Sequence, residues 1–142
     1  MGLATKTPDQ VQAMRRAGLV VAQALAQVRA AAVVGATPRD LDAVAAGVIA
    51  DAGATPSFLG YHGYPATLCT SVNEVVVHGI PDDRPLRDGD VISVDCGAVV
   101  EGWHGDAAVS IVVVPLPEHV AAIVHACERA LAAGIAAMRP GS

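Results

Sequence analysis

Two aspartates, Asp95 and Asp106, stand eleven residues apart in a chain segment that reads as a hairpin. Val91 to Ala98 has the content of a strand, Glu101-Gly102 that of a two-residue turn, and Trp103 opens a second strand running to about Val114. A two-residue turn would set Gly97 opposite Asp106, and Asp95, two residues before Gly97, would share that side. The two carboxylates would then be diagonal neighbours, roughly 7–8 Å apart at Cβ. Two anions on one face repel, and a divalent cation turns that repulsion into binding; oxygen donors suit hard or borderline metals. A longer loop or a bulge would reverse the parity. The plainer alternative is a pair of solvated aspartates near strand ends. Against it, Asp95 is embedded in Val-Ile-Ser-Val-Asp-Cys-Gly, where a solvated carboxylate is out of place, and Asp106 follows His104-Gly105, which sets an imidazole beside it.

The histidines divide. His78 follows Val75-Val76-Val77, which reads with Glu74 as a strand, so it could present its ring to a cleft; taken alone, a hydrogen-bonded structural histidine is the commoner case. His62, in Tyr61-His62-Gly63-Tyr64-Pro65, is equally open. His119 and His125 fall on a helix and read as surface or packing residues. Phe58, Tyr61 and Tyr64 cluster within seven residues, and Trp103 adjoins His104. Rings around a few polar groups suit a small-ligand pocket, although a turn packed by its own tyrosines would look the same. Cys69 reads first as a small buried residue. There is no glycine-rich phosphate loop after a strand and no Gly-x-Ser-x-Gly elbow.

These residues need a scaffold, and its helical part is well marked. Thr7-Pro8-Asp9-Gln10 is a helix start in which Gln10 can reach back to the cap amide. Apolar residues recur at helical spacing (Val11, Met14, Gly18, Val21, Leu25, Val28) in a run to Val34, and Gly35 suits a left-handed stop. Thr37-Pro38 opens a second helix with Leu41, Val44, Val48 and Ile49, ending at Gly53. Phe58 to Pro65 is a loop. Residues 66–72 and 74–77 have strand content, broken at Asn73, and Pro81 to Pro85 is a loop. Pro115 and Pro117 end the second hairpin strand, and Glu118 to Met138 is a third helix stopped by Pro140 and Gly141. Helix, helix, strands, helix is an α+β pattern.

Composition bounds the reading. At 142 residues the chain is one domain or a large piece of one, long enough for a real core. The net charge of −5 argues against a phosphate-neutralising surface, hence no nucleic acid. The first ten residues are polar, with no secretory h-region, and Lys6 stands where myristoylation needs Ser or Thr. No uninterrupted apolar stretch reaches the ~18 residues of a spanning helix, so no membrane is expected. Cys69, Cys96 and Cys127 are odd in number and widely spaced, fitting neither a disulfide framework nor a paired zinc motif. A soluble, reduced, cytoplasmic protein is expected. One echo is visible: Ala24-Leu25-Ala26, Ala30-Ala31 and Gly35 recur at an offset of 106 as Ala130-Leu131-Ala132, Ala136-Ala137 and Gly141. In an alanine-rich chain, coincidence is a live alternative.

Taken in order, Gly60-Tyr61-His62-Gly63-Tyr64-Pro65, Ser71-Val72-Asn73-Glu74-Val75-Val76-Val77-His78-Gly79-Ile80-Pro81, Asp88-Gly89-Asp90, Asp95, and Gly102-Trp103-His104-Gly105-Asp106 closely resemble type I methionine aminopeptidase. The resemblance runs from the first helix to the end of the chain. It implies one half of a pita-bread fold, with antiparallel strands and helices packed on one face, and residues 1–142 as the N-terminal half of the catalytic domain. It implies that Asp95 chelates one metal and Asp106 bridges both metals of a dinuclear centre holding Co, Mn, Fe or Zn. It implies that His78 hydrogen-bonds the scissile amide or the intermediate, that Tyr61, Tyr64 and Cys69 line the methionine pocket, and that His62 stands near its entrance. Members of this family remove the initiator methionine from nascent polypeptides whose second residue is small. The family's remaining ligands, one His and two Glu, come from a second half that this sequence does not reach, so weak metal binding, doubtful activity alone and self-association through the exposed half-domain face are expected. A non-catalytic interaction module on the same fold and a related dipeptidase that cleaves before proline are the competing readings.

Overall fold

The computed structural model describes residues 5–114 and 118–141. Pro115 and Pro117, expected to end a strand, lie outside those residues, as does the side chain of His119.

Helices α1 (Pro8–Ala31) and α2 (Pro38–Asp51) begin where the Thr-Pro signals put them. The Gln10 amide donates to Thr7 Oγ1 at 3.3 Å, and the Thr7 amide donates to Gln10 Oε1 at 2.9 Å. Thr37 and Asp40 make the same exchange, at 3.1 and 2.9 Å. Each reciprocal pair satisfies two amides that a helix start would otherwise leave to water. α1 stops at Ala31, short of Val34; Gly35 (φ +89°) belongs to the turn beyond, where its amide donates to the Leu86 carbonyl at 2.8 Å.

The apolar stripe of α1 is the expected one from Val21 onward and differs in the first turns. Val11 and Met14 are exposed, and Ala13, Ala17, Val21, Ala24, Leu25 and Val28 are buried. The cause lies across the interface. A Cβ on Gly105 would sit 2.5 Å from the Gly18 amide nitrogen and 2.6 Å from the Ala17 carbonyl carbon. Helix and sheet touch backbone to backbone there, so the first turns of α1 meet the sheet through small side chains, and larger ones turn outward.

The sheet is antiparallel. Strand β3 (Val91–Val100) pairs along its whole length with β4 (Trp103–Val112). Its other edge carries β2 (Leu68–Val72) against Ile92 to Cys96, and the two-residue β1 (Thr55–Pro56) against Ala98 and Val99. Ile92, Val94, Cys96 and Ala98 join α1 and α2 in one core with Leu41, Ile49 and Leu68. The architecture is α+β, with α1 and α2 on one face.

Two expectations meet a different structure. Residues 74–77 are not a strand: Asn73 turns the chain at φ +53°, and Val75, Val76 and Val77 are exposed. Their β-branched content found no neighbouring strand to pair with, and a strand propensity is only realised by packing. Helix α3 (Glu118–Ala137) forms as expected, yet it is exposed along nearly all its length, Leu131 at 65%. By length and composition alone, 120–137 is apolar enough to span a membrane, with a mean hydropathy of 1.5, although Glu128 and Arg129 interrupt it.

Candidate functional site

The β3–β4 register follows from the turn. Glu101 and Gly102 both take positive φ (+49° and +79°), as a two-residue primed turn requires, and Gly97 pairs with Asp106 while Asp95 pairs with Ala108. Asp95 and Asp106 therefore share the sheet face away from α1 and α2. Across the other edge of β3, Cys69 pairs with Asp95 and so points to the same side.

Asp95, Cys69, Phe58, Tyr61, Tyr64, His78 and Ile80 line a cleft of about 410 Å³. Its far wall is built by one hydroxyl. Tyr64 Oη lies 3.0 Å from the Leu68 carbonyl and 2.9 Å from the Gly79 carbonyl, so it ties the His78 loop to the start of β2. The Thr70 amide donates to the same Gly79 carbonyl at 2.8 Å, and the Gly79 amide donates to Ser71 Oγ at 3.2 Å. A Cβ at 79 would collide with the Thr70 carbonyl oxygen, so only glycine fits there. This fixes His78 beside the cleft, not at a strand end as the sequence suggested but at the left-handed φ of +58°, which costs a non-glycine residue energy and is held by these bonds.

Asp106 does not line the cleft; it acts on Asp95. Burial, then the charge of Asp106 and a hydrogen bond with it, raise the Asp95 carboxyl above its ordinary range, and His78 offsets this in part. Burial likewise pushes up the Cys69 thiol, the Tyr64 phenol, and Cys96, the last to about 12. All three sulfur and phenol groups are neutral at pH 7. His62 does not line the cleft either: its ring stands edge-on to Tyr61, with centroids 4.4 Å apart.

Sequence reasoning missed Asp42. From α2 its carboxylate accepts the Leu68 amide at 2.7 Å, bracing the start of β2 behind the cleft. Nothing in its local sequence marks it, since its partner is twenty-six residues away. Asn73 was read only as a strand break; it also accepts the Val91 amide at 3.0 Å and donates to Asp90 at 2.8 Å, which holds the Asp90 carboxyl below its usual range.

The donor set suits a divalent cation in kind. Two carboxylates share a face, and the charge between them disfavours the metal-free dianion. Among the described residues no third Asp, Glu, His or Cys joins them in a metal-ligating group.

Comparison with known proteins adds lineage to this geometry. The pattern of metallopeptidase family M24 matches residues 12–142. Methionine aminopeptidase 1 of Mycobacterium tuberculosis is 51% identical over 138 residues, which cover 96% of this chain and 52% of that protein. Methionine aminopeptidase 1 of Bacillus subtilis is 39% identical, with 96% and 55% covered. The crystal structure of methionine aminopeptidase from Thermotoga maritima superposes with a TM-score of 0.84 at 39% identity, covering 87% of this chain and 50% of that one. The chain thus spans about half the length of the relatives it matches, and its fold corresponds to half of their pita-bread fold. The chain belongs to metallopeptidase family M24.

Proposed function

We propose that this chain is the N-terminal half of a methionine aminopeptidase catalytic domain, and that the complete domain releases the initiator methionine from nascent polypeptides in the cytoplasm. The observation that carries the reading is the pair Asp95 and Asp106 on one sheet face, beside a cleft walled by rings and a neutral thiol.

In this reading Asp95 and Asp106 would be the carboxylates by which this chain holds divalent metal. When bound, the pair of metals supplies Lewis acidity, which lowers the pKa of a water and polarises a carbonyl. The chain's own residues do the rest. Tyr61, Tyr64 and Cys69 receive the methionine side chain; a thioether is soft and apolar and suits rings and an uncharged thiol. His78 holds the scissile amide through a hydrogen bond, and His62 stands at the entrance. Two carboxylates are fewer protein ligands than a dinuclear centre needs, so this chain alone binds metal weakly and self-associates through its exposed face.

Calorimetry with Mn(II) on the 142-residue chain tests the metal assignment. Weak binding that disappears in the Asp95→Ala, Asp106→Ala variant is expected. Binding untouched by that variant would remove both aspartates from the centre. Once the remaining half is supplied, Met-Ala peptides should be cleaved and Ala-Pro peptides spared; the reverse would make the protein the proline-directed dipeptidase.

A further inference from the structure

One exposed contact, next in the chain to the cleft-lining Phe58, has no part in that reading. His104 Nδ1 and Ser57 Oγ lie 3.0 Å apart, joining residues far apart in the chain. His104 sits on β4 two residues before Asp106 and therefore on the same face. Ser57 directly follows β1, and its amide donates to the Gly97 carbonyl at 2.9 Å. The segment lies flat on β3 because residue 97 has no side chain: a Cβ there would be 2.8 Å from Ser57 Cβ and 2.9 Å from Phe58 Cε1.

Phe58, the next residue, lines the cleft. From there the wall is bonded to itself. The Tyr61 amide donates to the Phe58 carbonyl at 2.9 Å, and the Gly60 amide to the Tyr64 carbonyl at 2.8 Å. Tyr64 Oη anchors the far end of this unit to Leu68 and Gly79. The near end is held to the sheet by the Gly97 bond and the imidazole.

We propose that His104 is a positioning residue for the cleft: through Ser57 it fixes the Phe58 end of the aromatic wall against β3. This rests on the cleft being the methionine pocket. One strand then carries both the carboxylate of Asp106 and the group that sets the wall, so the pocket and the metal face hold one relative position.

Hydrogen exchange on the full chain tests the latch, and L-methioninol binding followed by NMR tests its consequence. In His104→Ala and in Ser57→Ala, amides of residues 57–64 should exchange roughly three- to tenfold faster, as loss of one hydrogen bond allows, with β3–β4 amides unchanged. The double variant should be no faster than either single one, because both remove one bond. His104→Asn should restore slow exchange, since its carboxamide sets a hydrogen-bonding atom where Nδ1 lies. Affinity for L-methioninol should fall by a similar factor in both alanine variants and recover in His104→Asn. Unchanged exchange in His104→Ala, multiplied effects in the double variant, or failure of His104→Asn to restore would overturn the latch. Faster exchange with unchanged affinity would reduce the contact to a structural one and overturn the positioning role. If the wild-type chain does not bind L-methioninol, the positioning role is overturned for this chain, and the exchange result alone decides whether the latch exists.

Discussion

Helices α1 and α3 share the echoed residues and meet opposite fates. α1 ends at Ala31 and α3 at Ala137, the same offset of 106 that relates the echoed residues, and each is followed by a glycine at positive φ, Gly35 at +89° and Gly141 at +86°. The echo therefore has a structural counterpart. At that offset, buried Ala17 corresponds to exposed Ile123, and Leu25, 6% exposed, corresponds to Leu131, 65% exposed. Both helices have an apolar stripe. α1 packs directly on the sheet, with a glycine at the crossing and a second helix alongside, whereas α3 stands off β4 across an open gap lined by Val109, Ser110, Val124, Cys127 and Leu131. Local sequence makes the helix; the partner surface decides whether its stripe is buried.

The sharpest way to break this comparison is to truncate the matched leucines. Leu25→Ala should cost about 3 kcal/mol in urea unfolding, because it opens a cavity in the core. Leu131→Ala should stay within about 0.5 kcal/mol, as exposed positions do. Equal losses would mean that α3 is packed in solution. Next in size, Gly105→Ala should cost about 2 kcal/mol, since the new methyl presses on the α1 backbone, which cannot rotate aside. Gly134→Ala on α3, where a Cβ meets nothing within 4 Å, should cost nothing and stabilise the helix by about 0.5–1 kcal/mol.

The same contrast explains what was legible in the sequence. Thr7-Pro8-Asp9-Gln10 and Thr37-Pro38 announced both helix starts because cap and first-turn signals are local. Glu101-Gly102 announced the register of Asp95 and Asp106 because turn length fixes pairing. Local signals fail where the answer lies across the fold. Val75 to Val77 has strand content with no strand to join, and the inward face of the first turns of α1 was set by Gly105, far along the chain. Asp42 and the Ser57–His104 contact are invisible for the same reason. Of the cleft residues, Phe58, Tyr61 and Tyr64 were brought forward by clustering, Asp95 by the hairpin, and Cys69 and His78 by motif, and Ile80 completes the lining.

A bare stripe also has a consequence in solution. Ile123, Leu131, Ile135 and Met138 are exposed on or just after α3, and apolar surface of this kind promotes association. Sedimentation should show the chain self-associating at tens of micromolar, roughly the range of weak apolar contacts. Ile123→Lys with Leu131→Lys should return it to monomer without moving the urea midpoint. A compact wild-type monomer would show that α3 folds back on its own sheet, and the contrast with α1 would disappear.

The smallest effect separates the two anchored helices from each other. The α1 box uses Gln10, which does not titrate; the α2 box uses Asp40, whose carboxyl is held below its ordinary value by bonds from the Thr37 hydroxyl and amide. A depressed carboxyl stabilises the fold at pH above its unfolded pKa, near 3.9, and loses that contribution as pH falls through the lower folded value. Wild type should therefore exceed Asp40→Ala in urea midpoint at neutral pH by a gap that narrows below about pH 4. The gap to Gln10→Ala should stay level over the same range, because neither partner changes charge. A gap at Asp40 that ignored pH would mean that α2 is started by Thr37 and Pro38 alone, with the carboxylate a bystander.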